Sequence, residues 1–503
     1  MKKYFALFTF GFLFSFGQAQ PGFLDNTFGT GGVVATGLQG GAFDYAYSAI
    51  SQPDGKIIIA GTSDSGTNSD FALLRLNMDG TLDNSFGLNG KVITPFGNSD
   101  DITSNNCIAL QSDGKIIIVG STLTGATYDF ATVRYLPNGS LDTSFGGTGK
   151  VQTSIGSSDD YARAVAIQSD GKIVVAGGTI AANFDVALVR YNSNGSLDNS
   201  FGLGGIDTSA SMNGLQSANS VNIQSDGKIL IAGTTANTHN DFLTMRFNTD
   251  GTLDNTFGVG GIVTTPFSAF DNGSYASKIQ TDGKIISLGY NSTNGISTDF
   301  ALMRFNSDGT LDNFFGSAGK ISINHGIADV GTGLALQADG KIVFTGTCNS
   351  GTDSFHVFRC KMDGSLDSTF GTNGHTVTFI ANSVSATVCI QPNEKIVVAG
   401  IMNNGNDLDF EVARYNAFPL SVSNNSNQFH VNVFPNPSFD KLILDGTTSN
   451  GIIKIYSVEG KEILTQPSSE NLSELNISLL PAGIYFIQYA NENFTQQLKI
   501  IKD

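Results

Sequence analysis

Histidines, cysteines and surplus acids are the side chains of this 503-residue chain that could do chemistry. His239, His325, His356, His375 and His430 stand far apart, with no short interval that would set two ligands of one metal side by side, so each reads as structural. Cys107, Cys348, Cys360 and Cys389 are too few for a disulfide framework in so long a chain and read as buried thiols. The acids offer more. Asp44, Asp100, Asp101, Asp159, Asp160, Asp271 and Asp329 fall outside the repeated framework described below, in one type of loop. Carboxylates gathered on one face are what Ca2+ takes. Acids in polar surface loops need no ligand, so the plainer reading is solvated loop positions, with structural calcium as the alternative and no other cofactor.

Other constellations are excluded by their own spacing. The turn Asn77-Met78-Asp79-Gly80 suggests a calcium loop, but Arg75 stands where the first ligand belongs and Phe86 where the bidentate Glu belongs, so it reads as a hairpin turn. There is no Gly-x-Ser-x-Gly elbow, no His-Glu-x-x-His and no phosphate-binding Gly-x-x-x-x-Gly-Lys-Ser/Thr, so no catalytic residue is assigned. Asp159-Asp160 would serve a glycosidase only with a partner carboxylate supplied by another part of the chain. With 27 Lys and Arg against 44 Asp and Glu, the net charge of −17 argues against nucleic acid.

The elements that position these residues are set by repetition. Gln-x-Asp-Gly-Lys-Ile recurs seven times, its lysines at Lys56, Lys115, Lys172, Lys228, Lys284, Lys341 and Lys395, a period of about 56 residues. Only the last copy departs, with Asn393-Glu394 for Asp-Gly, where Asn is expected to take the left-handed turn conformation. A Phe-Ala-Leu-x-Arg strand follows each copy, ending at Arg75, Arg134, Arg190, Arg246, Arg304, Arg359 and Arg414. A third phrase, Leu-Asp-x-x-Phe-Gly, starts at Leu24, Leu82, Leu141, Leu197, Leu253, Leu311 and Leu366. About four short strands per period, with no helical stretch, fit one blade of a β-propeller.

The third phrase precedes the first Asp-Gly-Lys and is missing after Arg414, so the chain starts with what its end lacks. A ring whose N-terminal piece completes the last blade removes the exposed sheet edges. The expected fold is therefore all-β: a seven-bladed β-propeller closed by N- and C-terminal strands, with a small C-terminal Ig-like β-sandwich. An Arg and an Asp repeated in every blade, such as Arg75 with Asp83 or Arg134 with Asp142, read as a buried ion-pair ladder between blades.

Through Asp-Gly-Lys-Ile-x-Val/Ile-x-Gly, Phe-Ala-Leu-x-Arg-Tyr/Phe-Asn and Ser/Thr-Leu-Asp-x-x-Phe-Gly, residues 23–416 resemble the delta-60 repeat proteins, a bacterial propeller group. Val186, Ser354 and Cys360 depart from the pattern within single strands. The expected domains are a signal peptide over 1–19, the propeller over 20–418, a polar linker over 419–429 and the sandwich over 430–503. Lys2 and Lys3 before the run Tyr4 to Phe16, with Gly17-Gln18-Ala19 after it, predict cleavage after Ala19. That run falls short of the roughly 20 residues a bilayer core needs, and no transmembrane segment is expected.

The C-terminal part resembles the type A sorting domain of the type IX secretion system. The matching residues are Val433-Phe434-Pro435-Asn436-Pro437, Tyr456 to Lys461 with Gly460, Leu480-Pro481-Ala482-Gly483-Ile484-Tyr485 and Lys499 to Lys502. That resemblance implies export from a Gram-negative cell to its surface or medium, with the type IX machinery and a sortase-like protease as partners and cleavage in the linker. The leading functional expectation is a monomeric, non-enzymatic scaffold that binds an extracellular protein or glycan through variable loops such as 63–69, 121–128, 234–240 and 291–298. The alternatives are a propeller glycoside hydrolase or polysaccharide lyase, and a structural component of the surface or matrix. With Trp at zero, aromatic platforms for a glycan would have to come from Tyr.

Overall fold

Every period of the repeat folds as four antiparallel strands, because each Asp-Gly turn reverses the chain between segments rich in β-branched and aromatic residues. The computed structural model describes residues 21–39, 43–97, 100–180, 184–208, 215–236, 238–349, 354–379, 383–418, 431–458, 461–491 and 494–503. The expected signal peptide with Ala19, the linker, His430 and Gly460 lie outside the described residues. The chain divides into two units, Met1–Leu420 and Ser421–Asp503.

In blade 1 the strands run Phe43–Ser51, Ile57–Asp64, Ser69–Leu76 and Lys91–Thr94 from the innermost outward, paired in that order. Blades 2 to 6 repeat the arrangement. The innermost strand of blade 2 is broken into Asp101–Ile102 and Ile108–Leu110. Second strands are buried on both faces, as Ile57 to Ala60 at 0% exposure show, because neighbouring blades cover them. This is why they read as continuous Ile/Val runs with no alternation.

Blade 7 comprises Ser383–Ile390, Ile396–Asn403 and Leu408–Tyr415, and its fourth strand is Val33–Thr36 from the other end of the chain. Val33 faces Ala413 and Thr36 faces Phe410 in an antiparallel ladder. The N-terminal segment thus completes the last of seven blades. The last Asn-Glu turn forms too, with Glu394 N–H donating to Gln391 O at 2.8 Å. The left-handed position falls on Glu394 (φ 64°), the residue replacing Gly, and not on Asn393 as the residue types suggest. In a Gln-x-Asp-Gly turn the fourth residue takes positive φ, whichever side chain it carries.

The repeated charges form compact clusters. Arg75 Nε donates to Asp83 Oδ2 at 2.7 Å, Lys56 Nζ joins the same oxygen at 2.8 Å, and the guanidinium lies 4.3 Å from the centre of the buried Phe86 ring. Burial alone would raise the Asp83 pKa, but hydrogen bonds from Lys56 and Ser85 and the Arg75 charge hold it well below the usual carboxylate range. Arg and Asp belong to one blade, which corrects the expected ladder between blades. The link between blades is made by Arg75 Nη1, which donates to Pro137 O of blade 2 at 2.5 Å. Leu-Asp follows the third strand after one tight turn, so its carboxylate returns to its own arginine before it can reach a neighbour.

The second unit packs two sheets around one core. Asn432–Phe434, Lys441–Thr447 and Asn471–Asn476 form the first, and Ile452–Ser457, Glu462–Pro467, Gly483–Asn491 and Phe494–Lys502 the second. Leu442, Leu444, Ile453, Ile455 and Ile487 are buried between them. No helix among the described residues is long and apolar enough to cross a membrane.

Candidate functional site

Chemistry on a repeat scaffold is to be sought where a blade departs from the other six, because positions shared by all seven are explained by the framework. The innermost strands carry one such set. In blades 1 and 3 to 7 the ladder between first and second strands slips by one residue, leaving Tyr47, Arg163, Asn219, Tyr275, Thr332 and Ala386 out of register. A bulge re-aims the extra residue. Tyr47, Arg163, Asn219 and Tyr275, with Thr103 to Asn105 from the broken strand of blade 2, line one cavity of about 180 Å³. Contributions from five blades place it on the axis of the ring. Asn106 crosses the axis at this level, its Nδ2 donating to Asn219 O at 3.0 Å and Tyr275 O at 3.1 Å.

Arg163 dominates this cavity electrostatically. The seven framework arginines each meet an Asp carboxylate at 2.7–2.9 Å. Arg163 meets none among the described residues; its Nη1 donates to the neutral Asn219 Oδ1 at 3.0 Å, and its guanidinium lies 5.6 Å from the Phe184 ring centre. Gly178 makes room for that ring, since a Cβ there would stand 2.5 Å from Phe184 Cε1. Burial lowers the Arg163 pKa, and the nearby phenols of Tyr275 and Tyr161 oppose the shift only in part. A half-buried guanidinium with no counter-ion is a site for an incoming anion.

The seven aspartates proposed for calcium are placed one or two to a blade, and no three of them among the described residues come within reach of one ion. Asp44, Asp101, Asp160 and Asp329 are buried at 0% exposure at the start of their innermost strands. They accept the backbone N–H of Leu38, Phe96, Ile155 and His325 at 2.5–2.7 Å, and so fasten the connection arriving from the previous blade. Asn272 does the same for Phe267 at 2.6 Å. Asp100, Asp159 and Asp271 accept the N–H of Ser69, Tyr128 and Asn240 at 2.9–3.1 Å, across a blade boundary. Burial pushes the Asp101 carboxyl up to about 6.

A second departure lies in the third strands. The position three residues before the framework arginine is Ala72, Ala131, Ala187, Leu243 and Ala301 in blades 1 to 5, but His356 and Glu411 in blades 6 and 7. Glu411 is fully buried, and neither carboxylate oxygen has a partner in hydrogen-bonding geometry, although the Ser383 side chain is close enough to oppose the shift in its pKa. Burial pushes it up to about 7 from 4.5. A carboxyl raised on folding contributes stability that is complete below its unfolded pKa and is lost as pH rises through the folded value. The effect amounts to about 3 kcal/mol. Glu411→Gln should therefore match the parent at pH 4.5 and melt higher at pH 8. Melting curves across that range that stay parallel would contradict this.

His356 belongs to a cluster that sequence spacing conceals. Its Nδ1 lies 3.2 Å from His375 Nε2, and the His325 ring centre is 4.9 Å from that of His356 and 4.2 Å from that of His375. Ligand atoms of His325, Cys348 and His356 lie within 4.8 Å of one another. His325 is on the connection into blade 6, while the other three stand on its second, third and fourth strands. Cross-strand neighbours in a meander are separated by whole hairpins, so no short motif could announce them. Alignment of the repeats could have, because His325 occupies the place of Phe96, Ile155 and Phe267, and Cys348 that of Ser63 and Thr122.

Of the residues expected to carry the sorting signal, Asn436 holds the last strand of the second unit. Asn436 Nδ2 donates to Lys499 O at 2.9 Å and Asn436 Oδ1 accepts Ile501 N–H at 2.8 Å, between Pro435 and Pro437. Tyr485 donates to Pro481 O at 2.9 Å, beside Gly483, and Lys461 O accepts Ser457 N–H at 2.9 Å. Lys502 is buried.

A family model described as a domain of unknown function (DUF5122) beta-propeller matches residues 52–86, 111–145, 168–201, 224–257, 280–315, 337–370 and 391–417. A second, the secretion system C-terminal sorting domain, matches residues 432–503. No curated protein matches the chain. Among solved structures it is similar to a protein of unknown function from Dyadobacter fermentans, at 12% identity and TM-score 0.44 over 76% of this chain and 97% of that one. It is also similar to PorZ, a surface component of the type-IX secretion system of Porphyromonas gingivalis, at 10% identity and TM-score 0.31 over 89% and 68% of the two chains. A third is an ulvan lyase with bound saccharide, at 11% identity and TM-score 0.37 over 79% and 94%. Likeness at this level carries no argument about activity.

Proposed function

Because the chain belongs to the DUF5122 β-propeller repeat family and ends in a type IX secretion sorting domain, we propose that it is an extracellular propeller that binds an acidic saccharide in its axial cavity. Export to the cell surface or medium follows from the sorting domain. Removal of that domain within residues 419–429 by a sortase-like protease is part of the same reading, as is action as a monomer without turnover.

The observation that carries the proposal is Arg163, the arginine of the eight without a carboxylate partner among the described residues. A uronate or sulfate group would supply the missing charge by a bidentate contact. Tyr47 and Tyr275 offer the apolar faces of a sugar platform, and Asn105 and Asn219 the hydroxyl partners. Acids outnumber bases 44 to 27 in this chain, yet the half-buried Arg163 guanidinium meets only the neutral Asn219 and the Phe184 ring among the described residues.

The test is a glycan array of uronate-bearing, sulfated and neutral oligosaccharides, followed by calorimetry on the hits. Acidic glycans should bind, and Arg163→Ala should weaken them at least about tenfold, the scale of a lost charged hydrogen bond, without shifting the melting temperature. Binding confined to neutral glycans or to protein, or indifferent to Arg163→Ala, defeats the proposal. Cleavage of an array hit would replace the binding role with that of a lyase or hydrolase.

A further inference from the structure

Blade 6 carries His or Cys at four positions whose side chains meet, and none of the equivalent positions described in the other blades carries either residue. No demand of the fold explains that, since six other blades close without it. We propose that His325, Cys348 and His356 bind a divalent transition-metal ion of the zinc class, and that His375 orients His356 for it.

The donor set selects the metal. Imidazole nitrogen and thiolate sulfur suit Zn2+ and its neighbours, whereas Ca2+ and Mg2+ take oxygen. The orienting contact is present: His356 Nδ1 lies 3.2 Å from His375 Nε2, and with the proton on Nδ1 donated across that contact His356 Nε2 presents a lone pair. A histidine ligand ordinarily holds its second nitrogen in such a contact. The remaining nitrogen, His356 Nε2, is buried and has no hydrogen-bond partner, which costs stability unless something occupies its lone pair.

The spacing is close to what an ion requires. Two ligands of a tetrahedral zinc, at about 2.0 to 2.3 Å from it, stand roughly 3.3 to 3.8 Å apart. The three donor atoms lie within 4.8 Å of one another, so a closure of about an ångström completes the contact. His325 can make it, since it is partly exposed on a connection. Asp329 Oδ2 accepts the backbone N–H of His325 at 2.7 Å and of Gly326 at 3.0 Å, so the residue is already anchored beside the other two. Three protein ligands leave a fourth position for water or an outside donor.

The experiment is a cobalt and zinc titration of the purified full chain after EDTA treatment. One equivalent of Co2+ per chain should bind with a thiolate-to-cobalt charge-transfer band, Zn2+ should displace it, Ca2+ should not, and bound Zn2+ should raise the melting temperature. Cys348→Ser should abolish the band, and His325→Ala, a substitution at a partly exposed residue, should weaken affinity at least about tenfold. Cys389→Ser, in blade 7, should change neither. Failure to bind, a band that survives Cys348→Ser, or an affinity unmoved by His325→Ala overturns the proposal. The axial cavity is tested by other ligands and another variant, so either reading can fall alone.

Discussion

Arg190→Ala should cost about 3 to 5 kcal/mol of stability, the range for removing one partner of a buried ion pair. Arg190 Nε meets Asp198 Oδ2 at 2.7 Å, with the two side chains 4% and 8% exposed. Burial raises the Asp198 pKa, yet hydrogen bonds from Ser200 and Lys172 and the Arg190 charge bring it well below the ordinary value. Without the guanidinium the carboxylate keeps only Lys172, at 3.1 Å and 29% exposed, as a cationic partner. The same substitution also strips the contact with the Phe201 ring and the hydrogen bond from Nη1 to Thr249 O, which ties blade 3 to blade 4.

Thermal unfolding measures the loss, and the double variant Arg190→Ala/Asp198→Ala separates its causes. Recovery in the double variant would locate most of the cost in the stranded carboxylate; equal losses would locate it in the link between blades. A carboxyl lowered on folding contributes stability above its unfolded pKa that disappears as pH falls through the folded value. The parent should therefore lose its advantage over Arg190→Ala in strong acid, well below pH 3.8. A single variant that melts with the parent at neutral pH would show that the clusters do not hold the blades.

Removal of residues 21–36 should have a larger effect still. That segment supplies the fourth strand of blade 7, the fully buried Phe28, and Asp25, which binds Arg414 at 2.9 Å. Burying one Phe side chain stabilises by about 1.5 to 3 kcal/mol and a stranded Arg414 costs about 3 to 5, so these two losses together come to about 4.5 to 8 kcal/mol. It also leaves Leu408–Tyr415 as an open edge, a template for pairing with another chain. Light scattering and melting curves should show a less stable protein that self-associates. A truncated chain that stays monomeric and equally stable would mean that the ring does not depend on this strand.

The architecture could be read from the chain because each blade states the same three phrases, and the offset of Leu24-Asp25 against Arg414 carries the closure. The exceptions escaped for physical reasons. Bulge residues such as Arg163 and Tyr275 differ from their neighbours by register alone, which residue type does not encode. Asp44 and Asp329 looked like loop acids because their acceptors are backbone N–H groups, and every residue offers one. The blade 6 histidines are brought together by hairpin pairing, a contact between distant positions. Glu394 takes positive φ because the turn sets the backbone and the side chain tolerates it.

The bond between Arg414 and Asp25 spans 389 positions, and this fixes an order of assembly. Synthesis delivers the first partner long before the second, so the early strand must wait, solvated, through the making of six blades. Until then the molecule is an arc with two raw ends, each able to capture a strand from a neighbour. Only the final repeat fastens the clasp, and the sorting domain is made directly after it. The tail that addresses the protein for export is therefore the one part that cannot emerge before the ring has everything it needs to shut.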